Sequence, residues 1–394
     1  MSSRPYKIVF CTPALYSAGG VERVVSYKAS YFADQLGYDV TIIVTEGKGG
    51  ACYFPLSDKV KVINFELGFE ELWKASFMKK VFLYLTKQRL YKRLLKDELM
   101  RIRPNITISM LRREINFLTE IPDGSKKIGE LHVNRANYRN FEANDSNWLK
   151  RLFARFWMKS LVGRLKRLDQ LVVLTDKSKN SWPELSNVTV IPDPITIEVK
   201  SEKVKSEKCI NRVVTIGRYA YQKGYDLLLQ AWAEVEGMKS EEMKSEKWTL
   251  DIYGQGDQTH YRRLMTELGI DANQCHLNGP VEDVVNAYLD SSIFVLSSRF
   301  EGFGMVLVEA MACGLPVVSF DCPAGPDEII TDGVDGLLVP SGDVHALAEK
   351  IMLLMSDEDM RRRLGQQALQ TAQRYDMANL ANQWTTLFEK VIKN

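Results

Sequence analysis

Two glutamates stand eight positions apart in the run Ser298-Arg299-Phe300-Glu301-Gly302-Phe303-Gly304-Met305-Val306-Leu307-Val308-Glu309-Ala310. A strand ending near Ser297, a glycine-containing turn and a helix beginning near Met305 would aim free backbone N–H groups and the positive end of a helix dipole at one point. Such a point suits a phosphate. Glu301 in the turn and Glu309 one turn into the helix could then grip polyhydroxylated parts of the same ligand on either side of its phosphates, because each carboxylate accepts hydrogen bonds from hydroxyls. The spacing itself says little, since roughly two such pairs arise by chance in a chain of this composition, and Glu234 with Glu242 is another. The signal is in the flanking strand, the glycines and the continuation Met311-Ala312-Cys313-Gly314-Leu315-Pro316-Val317-Val318.

Those residues need a sheet to hold them. In the second half, strands are expected at 212–216, 249–253, 275–277, 293–296 and 316–319. Helices with apolar spacing near 3.6 are expected at 226–235, 260–268, 281–289, 305–313 and 344–355. The first half opens the same way, with a strand at 7–12, the loop Ala18-Gly19-Gly20, a helix at 21–36 and a strand at 40–45. Further strands follow at 60–65, 106–110, 127–132 and 170–175. A glycine turn at the carboxyl end of a first strand is where open α/β sheets place ligands, and the alternation predicts parallel, doubly wound sheets. Ile191-Pro192-Asp193-Pro194-Ile195 reads as a hinge, because two prolines impose an extended path. The expected domains are therefore 1–194 and 195–374. A terminal segment, 375–394, carries an amphipathic helix at 378–392 that would return to the first domain.

Length and composition agree with two folded domains: 394 residues, 45% apolar, 26% charged and 10% aromatic. The longest apolar stretch, 304–320, is interrupted by Glu309 and carries glycine and proline, so no bilayer-spanning helix is expected. Residues 1–5 run straight into a strand rather than an apolar leader, and the expected location is the cytoplasm. Cys11, Cys52, Cys209, Cys275, Cys313 and Cys322 form no C-x-x-C pair, which predicts buried free thiols and no zinc site. Two lysine–glutamate tracts, 201–208 and 239–247, read as a solvated linker and a solvated loop.

The net charge of +2 hides an asymmetry. Residues 1–194 hold 32 Lys+Arg against 20 Asp+Glu, or +12, which leaves 20 against 30, or −10, for residues 195–394. A basic half implies an anionic partner such as a membrane surface, a phosphorylated substrate or a nucleic acid. The charge concentrates at 74–103 and 148–167, both with apolar or aromatic residues between the cations, as in helices that lie on anionic membranes. The alternative, apolar faces packed on the domain core, stays open. Lys150, Arg151 and Arg155 are the candidate membrane contacts. No nucleic-acid motif accompanies the charge, so nucleic acid is not an expected partner.

The stretch from Glu301 resembles the donor-site signature of family 4 retaining glycosyltransferases, which have the GT-B architecture of two Rossmann-like domains facing a central cleft. The run "EAMACGLPVVS" follows the glutamate pair, and "GPDEII..GVDGLLVP" follows from Gly325 to Pro340. Upstream, Gly217-Arg218 through Gln222-Lys223-Gly224 resembles the family's "GR…qKG" element, and Ile252 to Gly256 its "i.G.G". The resemblance implies that Arg218 and Lys223 bind a nucleotide diphosphate, and two cations can offset that leaving group without a metal. It further implies that Glu301 contacts the transferred sugar, Phe303, Gly304, Met305 and Val306 offer backbone N–H groups, and Glu309 holds the ribose. Gly302 and Gly254 shape the donor site, and the base lies near Pro280 and Val281. In the first half, Gly19, Gly20, Glu22 and Arg23 resemble the acceptor-side loop, and His132 corresponds to a histidine that relatives keep close to the donor sugar.

The implied function is retaining, metal-independent transfer of a hexosyl or N-acetylhexosaminyl group from a nucleotide sugar, UDP-linked, to a glycan acceptor. The "DCPAGPDEII" stretch, beginning at Asp321, most resembles members that build bacterial surface polysaccharides on a polyprenyl-diphosphate carrier, and a basic first half suits that acceptor. No cofactor beyond the nucleotide sugar is implied. Within the same fold a UDP-sugar hydrolase or epimerase is the rival reading, and a non-catalytic nucleotide-sugar-binding protein is the rival from another class. P-loop, dinucleotide and nucleophile-elbow motifs are absent from the sequence.

Overall fold

The computed structural model describes residues 5–47, 49–74, 76–133, 135, 148–199, 210–323 and 325–393. The chain divides into two compact units, Met1–Pro194 with Met377–Asn394, and Ile195–Asp376. Each is built on one parallel sheet.

The first unit holds strands β1 (Lys7–Thr12), β2 (Asp39–Val44), β3 (Lys61–Asn64), β4 (Ile106–Ser109), β5 (Lys126–Leu131), β6 (Gln170–Val173) and β7 (Val188–Val190). Their order across the sheet is β3-β2-β1-β4-β5-β6-β7. Central strands read as nearly unbroken apolar runs, as both faces of a parallel sheet demand, and in β1 every residue after Lys7 is buried. Chain direction across the sheet reverses between β1 and β4, and the loops beyond their carboxyl ends are where this kind of sheet receives ligands.

One face of that sheet is covered by the helices Gly20–Asp34 and Met377–Lys393. The second of these buries Met377, Leu380, Ala381, Trp384, Leu387, Phe388 and Val391, a three-and-four spacing that leaves its other side polar. The other face receives Tyr91, Leu95 and Leu99 from the helix Phe77–Ile102.

The second unit holds β8 (Arg212–Ile216), β9 (Thr249–Tyr253), β10 (Cys275–Asn278), β11 (Ile293–Leu296), β12 (Val317–Asp321) and β13 (Leu337–Pro340), in the order β10-β9-β8-β11-β12-β13. Its reversal lies between β8 and β11. The two ends of this unit are tied together where Ile195 donates its N–H to the carbonyl of Tyr375 at 2.9 Å. Tyr375 also packs its ring on Phe303, so the boundary falls after Asp376 rather than after residue 374.

Among the elements not expected from the pattern are β7, β13 and the helix Glu358–Ala372. The helix is poor in apolar residues, yet it carries a start signal, with Asp357 accepting from the N–H of Met360 and Glu358 and Asp359 in its first turn. The tract 239–247 is also not a plain solvated loop. It forms a short helix, Glu241–Ser245, and Lys239 is buried with its ammonium 5.3 Å from the Trp232 ring and 2.6 Å from Glu236. The stem of a lysine can line an apolar surface while its charge finds a partner. The tract 201–208 lies outside the described residues. Cys11, Cys275, Cys313 and Cys322 are buried free thiols and Cys52 is half-buried.

Candidate active site

At the reversal in the second unit, the loop after β8 and the loop after β11 are laced together. Arg299 donates its backbone N–H to Gln222 O at 2.8 Å, Gln222 Nε2 donates to Phe300 O at 3.0 Å, and Ser297 Oγ donates to Lys223 O at 2.9 Å. Gly224 is required here on two counts: its φ is +62°, and a Cβ would fall 2.1 Å from Ser297 O. The lacing brings Lys223 Nζ to 2.7 Å from Glu301 Oε1, which also accepts from Ser298 Oγ at 2.6 Å. Both side chains are largely buried, so this is a strong local pair rather than a surface one.

Arg218, by contrast, is exposed and has no carboxylate partner among the described residues. One cation of the expected diphosphate pair is thus available, and the other is held by the carboxylate expected to meet the sugar.

Glu301 leads into Gly304, whose φ of +103° turns the chain into the helix Met305–Ala312. Gly302, Met305 and Val306 are half-buried and Phe303 is buried, at the amino end of that helix. Glu309 lies one turn on, 1% exposed, and accepts from Thr196 Oγ1 at 3.4 Å. Gly217 follows β8 with Lys223 packed against it, and Gly254, after β9, donates its N–H to the carbonyl of Gly279 at 3.2 Å. Pro280 is exposed and Val281 half-exposed in the turn after β10. Apart from Glu309, whose side chain faces inward, these positions border one carboxyl edge of one sheet.

Several members of this constellation were invisible as function in the sequence. Arg299 grips Asp226 with both nitrogens at 2.8 and 2.6 Å, donates to Tyr221 O at 2.9 Å, and lies 4.1 Å over the Tyr221 ring. Burial would raise the Asp226 carboxyl, but the guanidinium outweighs it and holds it below the ordinary range. The fork braces the two loops that carry Lys223 and Glu301. Nothing in the sequence pairs residues 226 and 299. Burial pushes the Cys313 and Cys322 thiols up to about 12, so neither supplies a thiolate nucleophile at neutral pH.

In the first unit, Gly20 opens the helix Gly20–Asp34 and Glu22 turns back to accept from Ser17 Oγ at 2.9 Å, while Arg23 donates its backbone N–H to Gly19 O. His132 follows β5, and around it lies a buried cluster that sequence reasoning missed. Its Nδ1 is 3.1 Å from Asp193 Oδ2 and its Nε2 3.3 Å from Glu130 Oε1, while Lys28 pairs with Glu130 from the helix Gly20–Asp34. The Lys28 ammonium also sits 4.6 Å over the Trp384 ring. Glu130 was in principle legible, because residues two apart in a strand share a face. Asp193 had been read only as part of a hinge.

The three side chains Glu130, His132 and Asp193 lie close enough to surround a cation. Lys28 and the imidazole already supply positive charge for both carboxylates. Burial alone would lower the His132 value, but Asp193 and Glu130 outweigh it and raise it to about 9.

Residues 196–371 match the family described as glycosyl transferases group 1. The chain is 25% identical over 400 residues to the amylovoran biosynthesis glycosyltransferase AmsD of Erwinia amylovora, covering 97% of this chain and 99% of that one. It is 33% identical over 240 residues to an exopolysaccharide phosphotransferase of Streptomyces coelicolor, covering 59% of this chain but spanning only 24% of that relative's length. Among solved structures, S. aureus TarM in complex with UDP superposes with a TM-score of 0.74 at 14% identity, over 97% of this chain and 99% of that one. The two parallel sheets agree with these matches. Residues 196–371, nearly all of the second unit, are thus similar to the group 1 glycosyl transferases, and the chain has the GT-B fold.

Proposed function

We propose that this glycosyltransferase moves a hexosyl or N-acetylhexosaminyl group from a UDP-linked donor, with retention and without a metal, to a glycan carried on a polyprenyl diphosphate, in the making of a bacterial surface polysaccharide. The observation that carries the donor half is the meeting of Lys223, Glu301 and the amino end of the helix Met305–Ala312 at the β8/β11 reversal, beside exposed Arg218. UDP in the TarM structure and the amylovoran pathway of AmsD support the choice of donor and product class.

In this reading the sugar C1–O bond to the diphosphate breaks, and a bond from C1 to the acceptor oxygen forms on the same face. The acceptor proton passes to the departing phosphate oxygen. Arg218 and Lys223 offset the charge that develops there, and Glu301 exchanges Lys223 for hydroxyls of the sugar as the ammonium turns to phosphate. Turnover of UDP-sugar by the pure protein tests the class. Acceptor-dependent transfer is expected, and acceptor-independent release of free sugar would point to a hydrolase.

The two glutamates divide the labour. Glu309→Gln is expected to weaken UDP and UDP-sugar alike by roughly tenfold or more, the worth of a hydrogen bond to a charged group. Glu301→Gln is expected to spare UDP and impair transfer. Calorimetric titration with UDP checks this, and equal losses in both variants would reject the division.

The lipid-linked acceptor brings the first unit to an anionic surface. Among the described residues no helix is long and apolar enough to cross a membrane. The helix Phe77–Ile102, however, keeps Phe82 68% and Leu85 49% exposed, in one stripe with exposed Arg89, Arg93 and Lys96. Arg155 is exposed on the helix Trp148–Leu165, and the side chains of Lys150 and Arg151 lie outside the described residues. Each cation near an anionic bilayer contributes about 1 kcal/mol, fading within a Debye length of roughly 8 Å at physiological salt. Changing Arg89, Arg93 and Lys96 to Glu is therefore expected to weaken binding to anionic vesicles about a hundredfold, at low salt, with UDP affinity unchanged. Binding that ignores salt, or that survives the triple change, would remove this surface from the proposal.

A further inference from the structure

Four charged side chains are buried together in the first unit, and no surface argument explains them. Lys28 and Glu130 are each about 1% exposed, Asp193 about 5% and His132 about 7%. Enclosing an ion pair is costly in free energy, so an arrangement of two pairs calls for a reason beyond stability. The charges sum to zero only if the imidazole is protonated. The charged groups facing the ring are Glu130 from β5 and Asp193 from the segment after β7, with Lys28 behind Glu130.

The hydrogen bonding is asymmetric. Nδ1 is within bonding distance of Asp193, but Nε2, although 3.3 Å from Glu130, makes no hydrogen bond of good geometry and is a buried, unsatisfied donor. Lys28 engages Glu130 Oε1, the oxygen that lies 3.3 Å from Nε2, and its ammonium sits over the Trp384 ring, while Glu130 Oε2 and Asp193 Oδ1 are buried without a hydrogen-bond partner. A buried donor without an acceptor is costly unless something else completes it.

We propose that Lys28, Glu130 and Asp193 are positioning residues for His132: they hold its ring as an imidazolium, commit Nδ1–H to Asp193, and keep Nε2–H for an electron-rich oxygen of the bound substrates. This rests on the transferase reading above. It gives His132 the part of a charged hydrogen-bond donor, not of a base, because both ring nitrogens carry protons. Lys28 acts at one remove, by preventing Glu130 from taking the Nε2 proton.

The ring's ionisation follows from these neighbours. Its value in the folded chain is about 9 against an ordinary 6.5. A value raised by folding stabilises the native state fully below about pH 6.5, and that contribution is lost as pH rises through about 9.

The test uses the full chain without substrate. Only four histidines are present, His132, His260, His276 and His345, so their ring signals can be separated by NMR and His132 assigned with a His132→Gln variant. His132 is expected to stay protonated through neutral pH, with its midpoint near 9. Asp193→Asn is expected to lower that midpoint by more than one unit. Lys28→Met is expected to raise it or leave it unchanged, since Glu130 is then free to pair with the ring.

A His132 midpoint between 6 and 7 in the unsubstituted chain would overturn the proposal even if every variant failed to fold. So would an Asp193→Asn midpoint that does not move in a protein that melts normally. In transfer assays, kcat/KM is expected to decline near pH 9, and Asp193→Asn to move that decline downward. A merely structural role would lower the melting temperature without shifting the profile. Since the titration is read on the free protein, its outcome is independent of whether a UDP-sugar is the donor.

Discussion

Lys223→Ala should lose at least tenfold in turnover while remaining folded. Removing one charge-assisted contact to a developing oxyanion costs about 2–4 kcal/mol of transition-state stabilisation. A second effect comes with it, because Lys223 is also the ammonium beside buried Glu301. Without it that carboxylate keeps Ser298 Oγ at 2.6 Å but loses its countercharge, and the melting temperature should fall. The double variant Lys223→Ala/Glu301→Gln separates the two effects. It should recover most of the stability and none of the turnover. Turnover regained with stability would mean that Lys223 serves the fold and not the diphosphate. Because the proposed site offsets charge with side chains, EDTA should leave transfer largely intact, and full activity in Lys223→Ala would remove the clamp altogether.

Trp384→Ala should destabilise the first unit by about 3–5 kcal/mol, the usual cost of emptying a large buried aromatic site. The ring is 1% exposed and meets Phe32 and Phe388 at centroid distances of 6.3 and 5.7 Å, with the Lys28 ammonium at 4.6 Å. Against a typical 5–15 kcal/mol for a whole domain this is a large fraction. A urea titration followed by circular dichroism should show an earlier first transition. UDP affinity, which the proposed function assigns to the other unit, should be retained while that unit is folded. A loss below 1 kcal/mol would mean that the helix Met377–Lys393 contributes little to the core it covers.

Much of this was legible from periodicity. The strands at 7–12, 212–216, 249–253 and 293–296 fall where apolar runs between turn residues place them, because a strand buried on both faces has little choice of composition. The terminal helix was equally plain, since Trp384, Leu387 and Phe388 form a stripe too apolar to leave in water. Short or polar elements were not. β7 is three residues long, and Glu358–Ala372 has few apolar side chains, so only its capping aspartate could have announced it.

The same divide runs through the site. Glu301 with Glu309, and Arg218 with Lys223, each sit in one short motif that the chain displays, although the meeting of Lys223 with Glu301 is made across 78 positions. Arg299 with Asp226, Lys28 with Glu130, and His132 with Asp193 are pairings made across 73, 102 and 61 positions by sheet topology. A single sequence does not display such pairs. What it displayed for Lys28 was an ordinary helical lysine, and for Asp193 a residue between two prolines.

The return of the chain to its first domain has a consequence for the order in which the protein is made. The unit Ile195–Asp376 is continuous, so on a ribosome it can fold once its own residues have emerged. The unit that was translated earlier cannot. Its sheet waits, with Phe32 and Phe10 awaiting cover from Trp384 and Phe388, until a helix made some two hundred residues later arrives to cover them. During that interval the nascent chain displays an apolar surface of the kind that chaperones hold. A stall anywhere in the second unit would therefore leave the first unfinished, and release of such a fragment should yield aggregates rather than a soluble half.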